Sequence, residues 1–144
     1  MSIEEFPRDF PVEEARHKQW RDLVDKDDSP FKGKTLADVF LYSMALGFTK
    51  RKRKELSGST KGSISSDAFQ DRGKWLIRAV AVQEENDLFV LTDKTKVVKI
   101  AVEYANGGFD DLLEIVYSGD PRDAEKRLES HLIDFLQSKG YKNN

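Results

Sequence analysis

The 144-residue chain contains no cysteine. That excludes disulfides, thiolate zinc sites, iron–sulfur ligation and cysteine nucleophiles together, and it fits a reducing compartment. Histidine is scarce as well, at two copies, so an imidazole-rich metal or acid–base centre is not expected. The longest apolar run, Val39 to Phe48, is too short to span a bilayer. The acidic start Met1-Ser2-Ile3-Glu4-Glu5 lacks the basic and apolar regions of an export signal. These absences lead to the expectation of a cytoplasmic protein without membrane contact.

What is present is charge around a modest core. Apolar residues make up 38% and charged residues 35%, enough for one hydrophobic centre under a densely ionic surface. The length is that of one ordinary domain, so residues 1–144 are expected to fold as a single unit. The net charge of −2 conceals an uneven distribution. Between Lys50 and Lys61 lie six basic residues and one acid, Glu55, a local charge of +5 that leaves −7 for the remainder. Gly and Ser accumulate at the same place and apolar periodicity fails, which predicts a flexible basic loop at about 49–63.

The rest reads as helix with capping signals. Val12, Ala15, Trp20, Leu23 and Val24 share a face of a helix running to about Asp27, stopped by Ser29-Pro30. Thr35, with Asp38 three residues on, is a cap for a helix carrying Leu36, Val39, Phe40, Met44 and Leu46, expected to be the most buried and to end at Gly47. Ile64 and Phe69 are spaced as a hydrophobic staple around Ser65, opening a helix with Gly73, Leu76, Ile77 and Val80 that lasts to about Glu85. Asp87 to Leu91 has strand propensity but no partner run, and is expected as a buried connector. Thr92 or Asp93 caps a helix with Val97, Val98, Ala101, Tyr104 and Ala105, which Asn106-Gly107-Gly108 should end. A short helix follows with Phe109, Leu112, Leu113 and Val116, closed by Gly119. Asp120-Pro121 then starts a last helix with Ala124, Leu128, Leu132, Phe135 and Leu136, stopping at Gly140. The predicted fold is all-α, one compact bundle of about six helices with a basic flexible loop.

Catalytic patterns are weak. Glu14-x-x-His17 has di-metal helix spacing, but a carboxylate-bridged centre needs a second such pair, and Glu125, Glu129, His131 and Asp134 do not supply it. Gly58 to Ser63 departs from a phosphate loop, because Lys61 precedes Gly62 rather than following it. Asp120 with Asp123-Ala124-Glu125-Lys126 loosely matches the acid–x–Lys arrangement of metal-dependent nucleases, yet helix capping accounts for it. Ser43 has no nearby His in sequence and reads as a hydroxyl bonded to its own helix. The expectation is therefore no catalytic residue, no metal and no cofactor, with a small metal-dependent nuclease as the least favoured reading.

The basic run needs only charge and reach. Lys50, Arg51, Lys52, Arg53, Lys54 and Lys61 are candidate contacts to the phosphate backbone of duplex DNA, sequence-tolerant and weakened by salt. No aromatic residue interleaves with the run, and Trp20 and Trp75 read as residues of helix packing seams. An equal alternative has the run docking on an acidic partner, or on this chain's own acidic helices.

Thr35-Leu36-Ala37-Asp38-Val39-Phe40-Leu41-Tyr42-Ser43-Met44-Ala45-Leu46-Gly47-Phe48, the basic residues with Glu55-Leu56, and Val98-x-x-Ala101-Val102-Glu103-Tyr104-Ala105-Asn106-Gly107-Gly108 form a pattern over roughly Thr35 to Gly119. That pattern resembles the small accessory proteins encoded beside Dnd DNA-phosphorothioation and restriction genes. The resemblance implies a role in prokaryotic defence against foreign DNA, with larger modification or restriction subunits as partners. It carries no catalytic residue with it. The leading expectation is a non-enzymatic accessory subunit that contacts the DNA backbone through its cationic loop; the rival is a protein–protein adaptor or homodimer that does not touch DNA.

Overall fold

The computed structural model describes Ile3 and residues 5–138. It is mostly helical, with five α-helices and a two-stranded antiparallel sheet among the described residues. Strand β1 (Asp9–Glu13) leads through a short 3-10 turn into α1 (His17–Asp25); α2 (Leu36–Thr49) follows. Strand β2 (Thr60–Ser65) and a second 3-10 turn precede α3 (Gln70–Glu85). A third turn, Leu88–Thr92, connects to the long α4 (Lys94–Tyr117), and Pro121–Asp123 leads into α5 (Ala124–Ser138).

Helix α4 is the axis. Its 24 residues make a rod about 36 Å long at 1.5 Å per residue, and residues 100–109 are buried without interruption. Around it gather Trp20, whose indole stacks on the Phe109 ring at 4.1 Å, and the edge-to-face rings of Phe10, Phe40 and Phe69. The capping box expected at Thr35 is present: the Asp38 N–H donates to Thr35 Oγ1 at 3.1 Å, and the Thr35 N–H donates to Asp38 Oδ2 at 3.0 Å. Asp93 caps α4 through the Lys96 N–H, and Asp120 accepts from the Arg122 N–H. The end of α3 at Glu85 also agrees, with Asn86 in the left-handed region.

Several expectations are corrected. Asn106-Gly107-Gly108 does not end a helix; the two helices expected on either side are one, which brings the α-helix count to five among the described residues. Gly47 does not end α2 either. All three glycines sit where backbones touch: a Cβ at Gly47 would run into the Tyr104 carbonyl, at Gly108 into the Ser43 carbonyl, and at Gly107 into the Lys52 carbonyl. They permit close approach rather than a left-handed turn. The chain leaves α2 at Arg51, which itself takes φ +56°.

The segment expected as a flexible loop at 49–63 is divided among three roles. Thr49 closes α2 and Lys50–Arg51 turn the chain, residues 52–59 cross α4 and reach Glu13 and Glu14 without regular secondary structure, and Thr60 onward is β2. The first predicted helix likewise begins as β1, where Phe10 and Val12 are buried against Ile64 of β2 and a register shift falls at Pro11. Ser65 makes no capping bond; Ser66 instead donates to the Pro7 carbonyl. The connector Leu88–Thr92 is only half buried, with Val90 and Leu91 inside and Leu88 and Phe89 in solvent. Trp75 is half exposed, beside the Arg78 guanidinium, rather than sealed in a seam. The expected stop at Gly140 lies outside the described residues.

Candidate functional site

The basic run occupies a defined place. After α2, the Lys50, Arg51 and Lys52 N–H groups donate to the Leu46, Phe48 and Gly47 carbonyls, which ends the helix and turns the chain across α4. The Lys54 N–H then donates to the Glu103 carbonyl at 3.0 Å, and the Lys52 carbonyl lies over Gly107. Asn106 completes the attachment: its Nδ2 donates to the Lys54 and Glu55 carbonyls, both at 3.2 Å, and to Glu13 Oε2 at 3.3 Å. Backbone outside regular structure beside a helix has polar groups that water would otherwise satisfy, and Asn106 answers two of them from inside the fold.

Each side chain of the run meets a carboxylate. Lys52 Nζ donates to Asp111 Oδ1 at 2.9 Å, and Lys50 Nζ stands 3.9 Å from the same oxygen. Arg53 bridges two acids, Nε to Glu103 at 2.6 Å and a terminal nitrogen to Glu84 at 3.0 Å. Arg51 reaches Glu84 at 3.7 Å, and Lys54 reaches Asp110 at 3.6 Å. Asp110 is also held by Arg16 at 2.6 Å. Tyr104 donates its hydroxyl to Glu84 at 2.6 Å. Glu103 and Asp111 are both buried, at 6% exposure, so these cations are what makes two carboxylates tolerable inside the fold.

The electrostatics follow from that geometry. Burial pushes the Glu84 carboxyl up, but hydrogen bonds from Tyr104 and Arg53 and the charges of Arg53 and Arg51 outweigh it, so the group titrates below its ordinary value. Glu13 behaves likewise: burial raises it, while Ser57, Asn106 and the Lys54 charge bring it below the usual range. Ser57 supplies both its N–H, at 2.7 Å, and its hydroxyl, at 3.1 Å. The hydrogen bond to Asp111 holds the Lys52 ammonium above its ordinary value. For Arg53, burial works against the charge, but Glu103 and Glu84 more than compensate and raise it.

Lys61 is not brought to this cluster. It stands on β2 opposite Val12, beside His17, whose imidazole is held low by burial and by the charges of Lys61 and Arg21. The other sequence candidates also separate. Glu14 lies in a 3-10 turn and His17 begins α1; no group of three or more potential ligands gathers among the described residues. Thr60 to Ser63 is strand rather than phosphate loop. Asp120 is taken up by its cap and by Arg122. Ser43 is fully buried and its hydroxyl has no hydrogen-bond partner, so the bond to its own helix expected from the sequence is not made. No helix among the described residues is long and apolar enough to cross a membrane.

The sequence offered this chain's own acidic helices as one place for the run to dock, but singled out none of their residues. Glu84, Glu103, Asp110 and Asp111 come from two helices, and Glu13 and Asn106 are brought together across 93 positions. One signal was available: Glu103 and Asn106-Gly107-Gly108 lie within the very stretch that carries the family resemblance. Each of those residues touches the basic segment or α2.

No curated protein and no solved structure matches the chain. A family model does match, over residues 14–143, and it spans α1 through α5 with the clamped basic segment inside it. On that match the chain belongs to the family described as DNA sulphur modification system-associated protein 4.

Proposed function

We propose that the chain is a non-enzymatic accessory subunit of a DNA sulphur modification system that works by holding a protein partner, and that the run Lys50–Lys54 is an internal clamp. One observation carries this reading: all five basic side chains of the run face carboxylates of their own fold. A cation already paired with a carboxylate must surrender that partner to neutralise a phosphate, so the counterion release that drives backbone binding is largely forfeited.

A second reading keeps the DNA contact. Lys50, Arg51, Lys52 and Lys54 leave 40%, 67%, 54% and 54% of their side chains in solvent. On this reading those exposed portions, with Lys61 as a separate contact on β2, would meet the duplex backbone. The two readings separate in one experiment, with the double variant Lys50→Gln/Arg51→Gln, whose long ion pairs contribute little to folding. Salt-titrated binding to duplex DNA, with and without phosphorothioate linkages, is measured beside binding to each purified larger subunit of the system. The adaptor reading expects subunit binding that ignores the variant and no specific duplex affinity. The DNA reading expects a log–log salt slope smaller by about 2 in the variant, one counterion contribution of roughly 0.9 per lost phosphate contact.

A further inference from the structure

Helix α5 uses only half of its apolar stripe. Ala124 and Leu128 are buried, whereas Leu132 and Leu136 on the same stripe are 50% and 40% exposed. Tyr42 of α2 is 39% exposed. Between the two helices lies an apolar cleft of about 110 Å³, whose walls include Tyr42, Ala45, Leu46, Ile115, Leu128 and Leu132. An apolar cavity of about 150 Å³ holds benzene, so this smaller cleft suits one aliphatic side chain of about leucine size. Through the shared Tyr42, Leu128 and Leu132 it adjoins a wider groove of about 640 Å³, lined also by Asp38, Glu125 and Glu129 against one cation, Lys34. Glu125 and Glu129 have no ion-pair partner among the described residues.

We infer that the groove between α2 and α5 seats a helix of a protein partner, with one apolar side chain inserted in the cleft and Lys or Arg residues on the helix flanks. This rests on the adaptor reading above. Charge selects the occupant. Three carboxylates against one lysine, on a body that carries −7 outside the segment from Lys50 to Lys61, repel nucleic acid and acidic helices and attract a cationic one. A second copy of this chain would bring the same acidic edge against itself in a two-fold contact, which places like charges opposite one another. An apolar knob in a fitted pocket with charged surroundings concentrates binding energy in a single anchor.

The test measures binding of the purified full chain to each purified larger subunit of the DNA sulphur modification system, with hydrogen exchange on the complex and sedimentation of the chain alone. Wild type is compared with Leu132→Glu and with Glu125→Lys/Glu129→Lys, all at exposed positions. A carboxylate placed in the cleft wall by Leu132→Glu is expected to weaken binding about 30-fold or more, and reversal of the edge charges about 10-fold, with each variant still folded and melting cooperatively. The partner segment protected from exchange is expected to be an amphipathic helix flanked by Lys or Arg. Should Leu132→Glu fail to fold, the charge-reversed variant still decides. Equal binding by wild type and variants overturns the groove assignment and leaves the adaptor reading standing. Protection of an acidic or non-helical segment, or self-association that Leu132→Glu abolishes, overturns the choice of occupant. Failure of every subunit to bind overturns the adaptor reading itself.

Discussion

Where the basic segment crosses α4, backbone meets backbone through glycine and nearly every charge and carbonyl has a partner; between α2 and α5, packing stops short and leucine and tyrosine remain in solvent. The two regions lie on opposite sides of one question, namely which surface is finished inside the chain. Glu103 and Asp111 are buried in α4 and would destabilise the fold without cations beside them. The basic run is therefore demanded by the helix it covers. Leu132 and Leu136 cost comparatively little to expose, so their stripe can be left for another molecule. A dense run of charge is thus the more internal feature of this protein, and a pair of unremarkable leucines the more external one.

The largest loss is expected at the glycines. Gly107→Ala and Gly108→Ala each drive a methyl into a backbone carbonyl that cannot rotate away, which costs about 3 kcal/mol or more, beyond ordinary overpacking. Thermal melting should fall by roughly 10 °C or more, or the chain should not fold. Gly119→Ala is the control. Its Cβ would meet the Arg127 guanidinium rather than a backbone carbonyl, and its melting temperature should fall much less than those of the other two variants.

Next in size is Arg53→Gln, which leaves Glu103 buried without its cation. About 2 kcal/mol is expected, below the full loss for a buried pair because Arg53 is partly in solvent. Lys50→Gln, at 3.9 Å from its acid, should cost no more than about 0.5 kcal/mol by denaturant unfolding. Equal effects from these two would show that the run is not a clamp.

Acid sharpens the contrast further. Glu13 and Glu84 titrate below their ordinary value in the folded chain, so the unfolded chain binds protons first as pH falls. Their stabilisation is complete above the ordinary glutamate value and is lost as pH drops from about 5 through the folded-state values. Melting temperature should decline over that range. The double variant Glu13→Gln/Glu84→Gln should be less stable at neutral pH and flatter below about pH 5. The smallest expected effect belongs to the groove: Leu132→Ser should change stability by less than about 0.5 kcal/mol, since its side chain is half exposed already.

Much of the fold was legible in local residue patterns. Thr35 with Asp38, Asp93 and Asp120 announced their helix starts because a cap is a bond between residues two or three apart. The small sheet was not legible. Its strands are about 50 residues apart, β2 contributes only one apolar residue, Ile64, and Phe10-Pro11-Val12 is too short for a period of two to stand out. Asn106-Gly107-Gly108 misled for a related reason. Glycine at a helix end and glycine at a helix crossing look the same until the opposing carbonyl is known.

Counts and local patterns determined that this chain has no thiol chemistry, that it carries a local excess of positive charge in one short run, and that it is mostly helical; the residues from Thr35 onward also pointed to its family. Those properties depend on counts and on neighbours within a few positions. Tertiary structure decided what the charge is for. An ion pair is set by distance in space, and the partners of Lys50 to Lys54 lie some 30 to 60 positions away, on helices whose mutual approach depends on three glycines. The same closeness that spends the basic run within the fold leaves the apolar face of α5 as the surface still unspent.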